Sequence, residues 1–154
     1  YVLGAFSLAY ALFEIPTGVL GDRIGPRRVL TRVVLWWSGF TALTGAAVNL
    51  AYLLVVRFLF GAGEAGAYPN ASIVISRWFP AVEVGRAQSV IWAAGRLGGS
   101  LTPLLVIPLV HWAGWRWAFV ILGGVGALWA LGWYAWFRDE PAEQPGIGPA
   151  EVEA

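Results

Sequence analysis

Cysteine, methionine and lysine are absent from these 154 residues, and histidine occurs once, at His111. Without cysteine there is no disulfide framework, no thiol nucleophile and no thiolate metal site. A single histidine excludes a histidine-rich metal centre. Charge is scarce as well: 12% of the residues are charged and the formal net charge is +1, which gives no reason to invoke nucleic acid or an acidic partner. No nucleophile–base pair, metal cluster or cofactor loop stands out, so neither an enzyme nor a cofactor is expected. No charged leader with a cleavage site is visible. The chain opens on Tyr1 inside an apolar run, and we expect it to be a piece of a longer protein in which a further helix precedes it.

What fills the sequence is apolar surface. Hydrophobic residues make up 58% of the chain, with ten tryptophans, more than a soluble domain of this size needs, so an all-α membrane protein with several spans is expected. The spans predicted are residues 1–20, 33–51, 53–76, 87–110 and 118–137, each near the roughly 20 residues that cross a bilayer as helix. Between them lie an arginine-rich turn (21–32), a short polar loop (81–86) and an aromatic interfacial turn (111–117). Residues 138–154 carry carboxylates and prolines with almost no large apolar side chains, and are expected to be a disordered acidic linker. Arg23, Arg27, Arg28, Arg32, Arg77, Arg86 and Arg138 fall on one side of these spans, and only Arg116 lies in a loop on the other. By the positive-inside rule the 21–32 and 81–86 loops and the 138–154 tail face the cytoplasm of a plasma membrane.

The third span, LLVVRFLFGAGEAGAYPNASIVISRWFP over 53–80, reads as one long helix without a wet face, yet it holds Arg57 and Glu64. At about 100° per residue, Arg57, Gly61, Glu64 and Tyr68 share one stripe. Ionisable groups inside a membrane helix point into a bundle or a cavity, and they mark a functional site by default. Counted from Ala51, Glu64 lies about 18–20 Å along the helix, near the middle of the membrane, where a carboxylate held away from bulk water is a candidate proton carrier. Arg57 offers a permanent charge and a fork of donors suited to a carboxylate. The two are about 10 Å apart along the axis, so a bridging water or substrate is as plausible as direct contact. The alternative is a buried ion pair that only holds helices together.

Other positions leave two readings open. Arg96 either lines the cavity as a second anion contact or snorkels and pairs structurally. Glu14, one turn after Tyr10, is a cavity carboxylate or an arginine's partner. Tyr68 and Asn70 hydrogen-bond a substrate or serve as interhelical glue. In GVLGDRIGPRR (18–28), Gly18 and Gly21 permit close helix approach, and Gly25 with Pro26 enforces the turn. Asp22, just past the expected helix end and among Arg23, Arg27 and Arg28, suits a charge latch between helices, the alternative being a plain topology anchor.

That loop resembles the signature loop between the second and third helices of the major facilitator superfamily. RFLFGAGEAGAYPN (57–70) resembles the fourth helix of its anion:cation symporter family, which takes up sugar acids, hexuronates, phthalate and related carboxylates. RWFP (77–80), GRAQ (85–88) and WFRDEP (136–141) are similar to the segments that follow there. The resemblance covers the whole chain as helices two to six of twelve. It implies a partial amino-terminal six-helix bundle, whose first helix and carboxy-terminal six-helix half are missing from this chain. It implies that Arg57 lies near the substrate, that Glu64 couples protons, and that Tyr10 belongs to a sugar-acid site. The expected function is therefore proton-coupled symport of a small organic anion by alternating access in the lipid bilayer. The alternatives are an exporter or facilitator without proton coupling, or a non-transporting sensor on the same fold.

Overall fold

The computed structural model describes residues 1–143, and these are helices joined by short turns, with no strand among the described residues. The chain is an all-α membrane protein. Five elements of α-helix follow one another: α1 (Val2–Ile24), α2 (Pro26–Thr44), α3 (Leu50–Glu64), α4 (Ala67–Trp78) and α5 (Val84–Trp136). Three stretches, Val2–Ile24, Leu50–Trp78 and Val84–Trp136, are long and apolar enough to cross a membrane by composition alone. α2 falls outside that group because Arg27, Arg28 and Arg32 crowd its first two turns.

The packing is that of a body solvated by lipid. Small or β-branched residues such as Ala9, Val29, Val33, Val56 and Ala130 are buried, while Leu104, Leu105, Trp112 and Leu128 face outward. Lipid chains are as apolar as leucine, so helices associate through close contact of small side chains rather than by hiding large ones. α1 packs chiefly along α3, and α2 along α3 and α5.

The helix boundaries correct the sequence reading in several places. The 21–32 turn shrinks to Gly25. α1 runs on to Ile24 and α2 begins at Pro26, because Gly25 adopts a φ of 88° and proline is favoured at a first helical position. Asp22 and Arg23 therefore lie inside the last turn of α1, not beyond its end. The expected 33–51 span is displaced toward the amino terminus: α2 stops at Thr44, and Asn49 starts α3 by accepting the Tyr52 N–H at 2.8 Å. The long third helix is broken into α3 and α4 by Ala65 and Gly66, the latter at φ 93°. Pro69 contributes to the break, having no N–H to return to a carbonyl one turn back. Residues 87–110 and 118–137 are not separated by a seven-residue turn. α5 runs through from Val84, interrupted only at Gly114, whose φ of 79° sends the chain back as a second arm. The 81–86 loop likewise shortens, with α5 starting at Val84. Of the expected acidic linker, Arg138–Glu140 continue from α5 into a short 3₁₀ turn at Pro141–Glu143. The remainder of that expectation, residues 144–154, lies outside the described residues.

Candidate functional site

α3 places Arg57, Phe60, Gly61 and Glu64 at three- and four-residue steps, on the side that meets α1. The backbone of Gly61 is buried against the Phe6 carbonyl of α1, leaving no room for a side chain. Phe6 then stands between the two helices' functional residues. Its ring centroid is 5.9 Å from Tyr10 and 5.8 Å from Phe60, and the Arg57 guanidinium lies 5.4 Å from the Phe60 centroid. A cation above an aromatic face is held without an acid partner, and so remains available to one.

Glu64 is the last residue of α3, half-buried at the break. Arg57 stands seven residues back on the same face of α3. The two are nevertheless not an ion pair: the salt bridge found among the described residues joins Arg77 to Glu140. Tyr10 packs against the Phe6 ring on α1, and Glu14 follows it one turn on. The aromatic contacts thus link Tyr10 to Arg57 through Phe6 and Phe60, while Glu64 and Tyr68 share the cavity beyond the break.

Beyond the break, Glu64 and Tyr68 border a cavity of about 530 Å³ between α2, α4 and both arms of α5, walled by Trp37, Trp129 and Trp133. Tyr68 is fixed by stacking on Trp92, with centroids 4.5 Å apart and planes inclined by 8°. Its hydroxyl stands beside Gly95, where a side chain would crowd it. The cavity therefore offers one carboxylate at a helix break, one phenol and an aromatic wall, with Arg57 and Tyr10 outside its lining at the α1–α3 contact.

Four candidate residues, Asn70, Arg96, Gly18 and Gly21, fall elsewhere. Asn70 is fully buried, and its amide donates to the carbonyls of Gly66 at 2.8 Å and Thr17 at 3.3 Å, so it ties α4 to α1. Of the two readings left open for it, the structure favours the interhelical one. Arg96 is exposed on α5, one turn past Trp92, and does not border the cavity. Among the residues of the 18–28 motif, Gly18 packs on Pro69 and Gly21 on Asn70, both α1–α4 contacts.

Arg27 of that motif is committed within this bundle. Its backbone N–H donates to Asp139 at 2.7 Å, and its guanidinium donates to the Tyr134 carbonyl while lying 4.3 Å from that ring's centroid. Gly25 presses against the Asp139 carboxylate. Asp22 and Arg23 are exposed, and Arg28 turns into an outward groove with Arg32. Sequence reasoning missed Asp139, Tyr134 and Trp92. Asp139 was read as linker, and the Tyr68–Trp92 stack joins helices whose register no local pattern reveals. No group of three potential metal ligands occurs among the described residues.

The sequence profile described as the Major Facilitator Superfamily matches residues 1–153. A probable sulfoacetate transporter of Cupriavidus necator is 39% identical over 152 residues, covering 99% of this chain and 35% of that protein. A probable L-galactonate transporter of Escherichia coli is 36% identical over 154 residues, covering 99% of this chain and 34% of that protein. The chain thus spans about a third of the length of these relatives. In structure it superposes on a bacterial homologue of the human lysosomal transporter Spinster, in an inward-facing and unoccupied conformation, with a TM-score of 0.71 and 25% identity over 97% of this chain and 37% of that one.

Proposed function

The chain belongs to the Major Facilitator Superfamily, and we propose that it forms part of a proton-coupled symporter importing an organic anion by alternating access across a plasma membrane. The observation that carries this reading is Glu64 at a break in a membrane-spanning stretch, bordering a cavity with Tyr68, with Arg57 seven residues back on the same helix face and in no salt bridge among the described residues. Transporters bind their cargo near the membrane midplane beside such discontinuous helices. Both relatives' names carry a carboxylate cargo, sulfoacetate in one and galactonate in the other, which supports an organic anion here.

In the proposed cycle Glu64 and the substrate compete for Arg57. A proton on Glu64 cancels its attraction and leaves the guanidinium fork to the substrate carboxylate. Tyr10 and Tyr68 orient the substrate's hydroxyls. The loaded bundle then rocks against the remainder of the transporter, with Asp22 and Arg23 as the exposed charges of the latch loop. Proton release to the cytoplasm restores the competition and frees the substrate. The arginine-bearing ends, at 22–32 and 77–86, face the cytoplasm in this reading.

The test is uptake by the full-length protein in vesicles, offering radiolabelled sugar acids and sulfonated carboxylates under an imposed pH gradient. Accumulation abolished by a protonophore and by Glu64→Gln, with substrate exchange retained in the variant, is the expected result. Undiminished accumulation by Glu64→Gln would remove the proton role from this residue, and failure to move any carboxylate would overturn the anion reading.

A further inference from the structure

Arg28 and Arg32 stand one turn apart on α2, and Trp36 follows one turn deeper, so each step carries the stripe about 6 Å along the helix. With Thr31, Leu35 and Tyr134 they line a groove of about 460 Å³ between α2 and the second arm of α5. Neither arginine has a carboxylate within 4.0 Å among the described residues. Asp139, just past the end of α5, accepts the Arg27 backbone N–H. The walls of the groove are held in place. Trp36 donates its indole N–H to the Leu59 carbonyl at 2.8 Å, and Tyr134 is covered by the Arg27 guanidinium that also bonds its carbonyl.

We propose that this groove is a binding site for an anionic phospholipid, with its phosphate between Arg28 and Arg32 and its upper acyl chain along Leu35 and Trp36. The order along α2 matches such a molecule: two guanidiniums within its first two turns, then half-exposed apolar and aromatic surface. Guanidinium forks recognise phosphate oxygens, and basic pockets between spanning helices collect acidic headgroups at the membrane surface. The apolar floor selects the lipid over free phosphate, since inorganic phosphate would leave Leu35 and Trp36 uncovered. This assignment is independent of the proposed transport cycle and gives Arg28 a role outside the latch.

The test is native mass spectrometry of the full-length protein titrated with phosphatidylglycerol or phosphatidylcholine. Phosphatidylglycerol adducts should dominate, and Arg28→Gln with Arg32→Gln should reduce their affinity roughly 25-fold, about fivefold per arginine. Arg86→Gln, which removes an equal charge outside the groove, should leave them unchanged. Equal retention in the double variant overturns the site, and displacement of the adducts by millimolar inorganic phosphate overturns the lipid assignment. In case the double variant does not fold, a photoactivatable phosphatidylglycerol in vesicles containing the unaltered protein should label the peptide spanning residues 28–36. Labelling that avoids this peptide refutes the proposal without any substitution.

Discussion

Gly21 and Asn70 occupy one shared volume, because the Asn70 side chain lies where a Gly21 side chain would project. Asn70 is fully buried and its amide bridges two carbonyls of different helices, so it has no direction in which to yield. Gly21→Ala should therefore destabilise the full-length protein by about 1–3 kcal/mol, seen as a lowered melting temperature in detergent. Gly18→Ala should cost less, because its neighbour Pro69 stands at 3.3 Å and needs to give only slightly. Equal melting temperatures for Gly21→Ala and the unaltered protein would show that α1 and α4 do not meet this way. At Arg57 the chemistry is different. Lysine keeps the charge but loses the planar fork and its seat over Phe60, so Arg57→Lys should fold normally and lose roughly tenfold or more of its uptake, equivalent to about 1.4 kcal/mol. Full uptake with lysine would show that a point charge suffices.

Among the elements, the break between α3 and α4 is the one with most consequence. It exposes unpaired carbonyls at the end of α3 and unpaired N–H groups at the start of α4, at the depth where Glu64 and Tyr68 border the cavity. Gly66 holds the break, with a positive φ and with Thr17 pressed against it. Gly66→Ala should cost about 1–3 kcal/mol through left-handed strain alone and also displace α1. A variant with unchanged stability would show that the two helices run through as one. The end of α5 supplies a second case. Asp139 caps α2 from a position 112 residues away, and Asp139→Ala should lower stability by about 0.5–2 kcal/mol. The neighbouring Arg77–Glu140 pair is 3.2 Å long but largely exposed, so Glu140→Ala should change stability by less than about 1 kcal/mol. Reversal of that ranking would place the clamp on the ion pair instead of the cap.

At the scale of the whole molecule the question is how the helices are threaded through the bilayer. The helix ends at 22–32, 77–86 and 138–140 carry seven of the ten arginines, and the kink at Gly114, flanked by Trp112, Trp115 and Trp117, lies by the carboxy end of α2, where Gly45 meets the Arg116 carbonyl. Since this chain has no cysteine, single reporters can be introduced into the full-length protein after removing any cysteine elsewhere. Glu83→Cys should react with an impermeant maleimide only after the membrane is opened, and Trp115→Cys should react in intact cells. Labelling of both from one side would refute the five-span threading. The same threading explains why so many large side chains are exposed here: Leu104, Leu105 and Leu128 face a solvent that is itself hydrocarbon.

The membrane class and the family were legible in the sequence, as was the placing of Arg57 and Glu64 on one face of one helix. Each follows from local chemistry: apolar length, the placement of arginine, and charges with no wet face to occupy. The sequence also pointed to close packing at Gly18 and Gly21, because a small residue inside an apolar helix has few other uses. What only the tertiary structure decided are the relations between distant segments. The closing of Thr17 on Gly66 depends on how α1 lies across the break, the Tyr68–Trp92 stack on the register of α4 against α5, and the cap by Asp139 on where α5 ends beside α2. Such contacts leave no local period, since each partner taken alone is an ordinary turn, aromatic or carboxylate. Arg27, Arg28 and Asp22 make the point within one loop: similar in sequence and adjacent in the chain, they part company because α2 turns one toward α5, one toward an outward groove, and α1 leaves the third exposed.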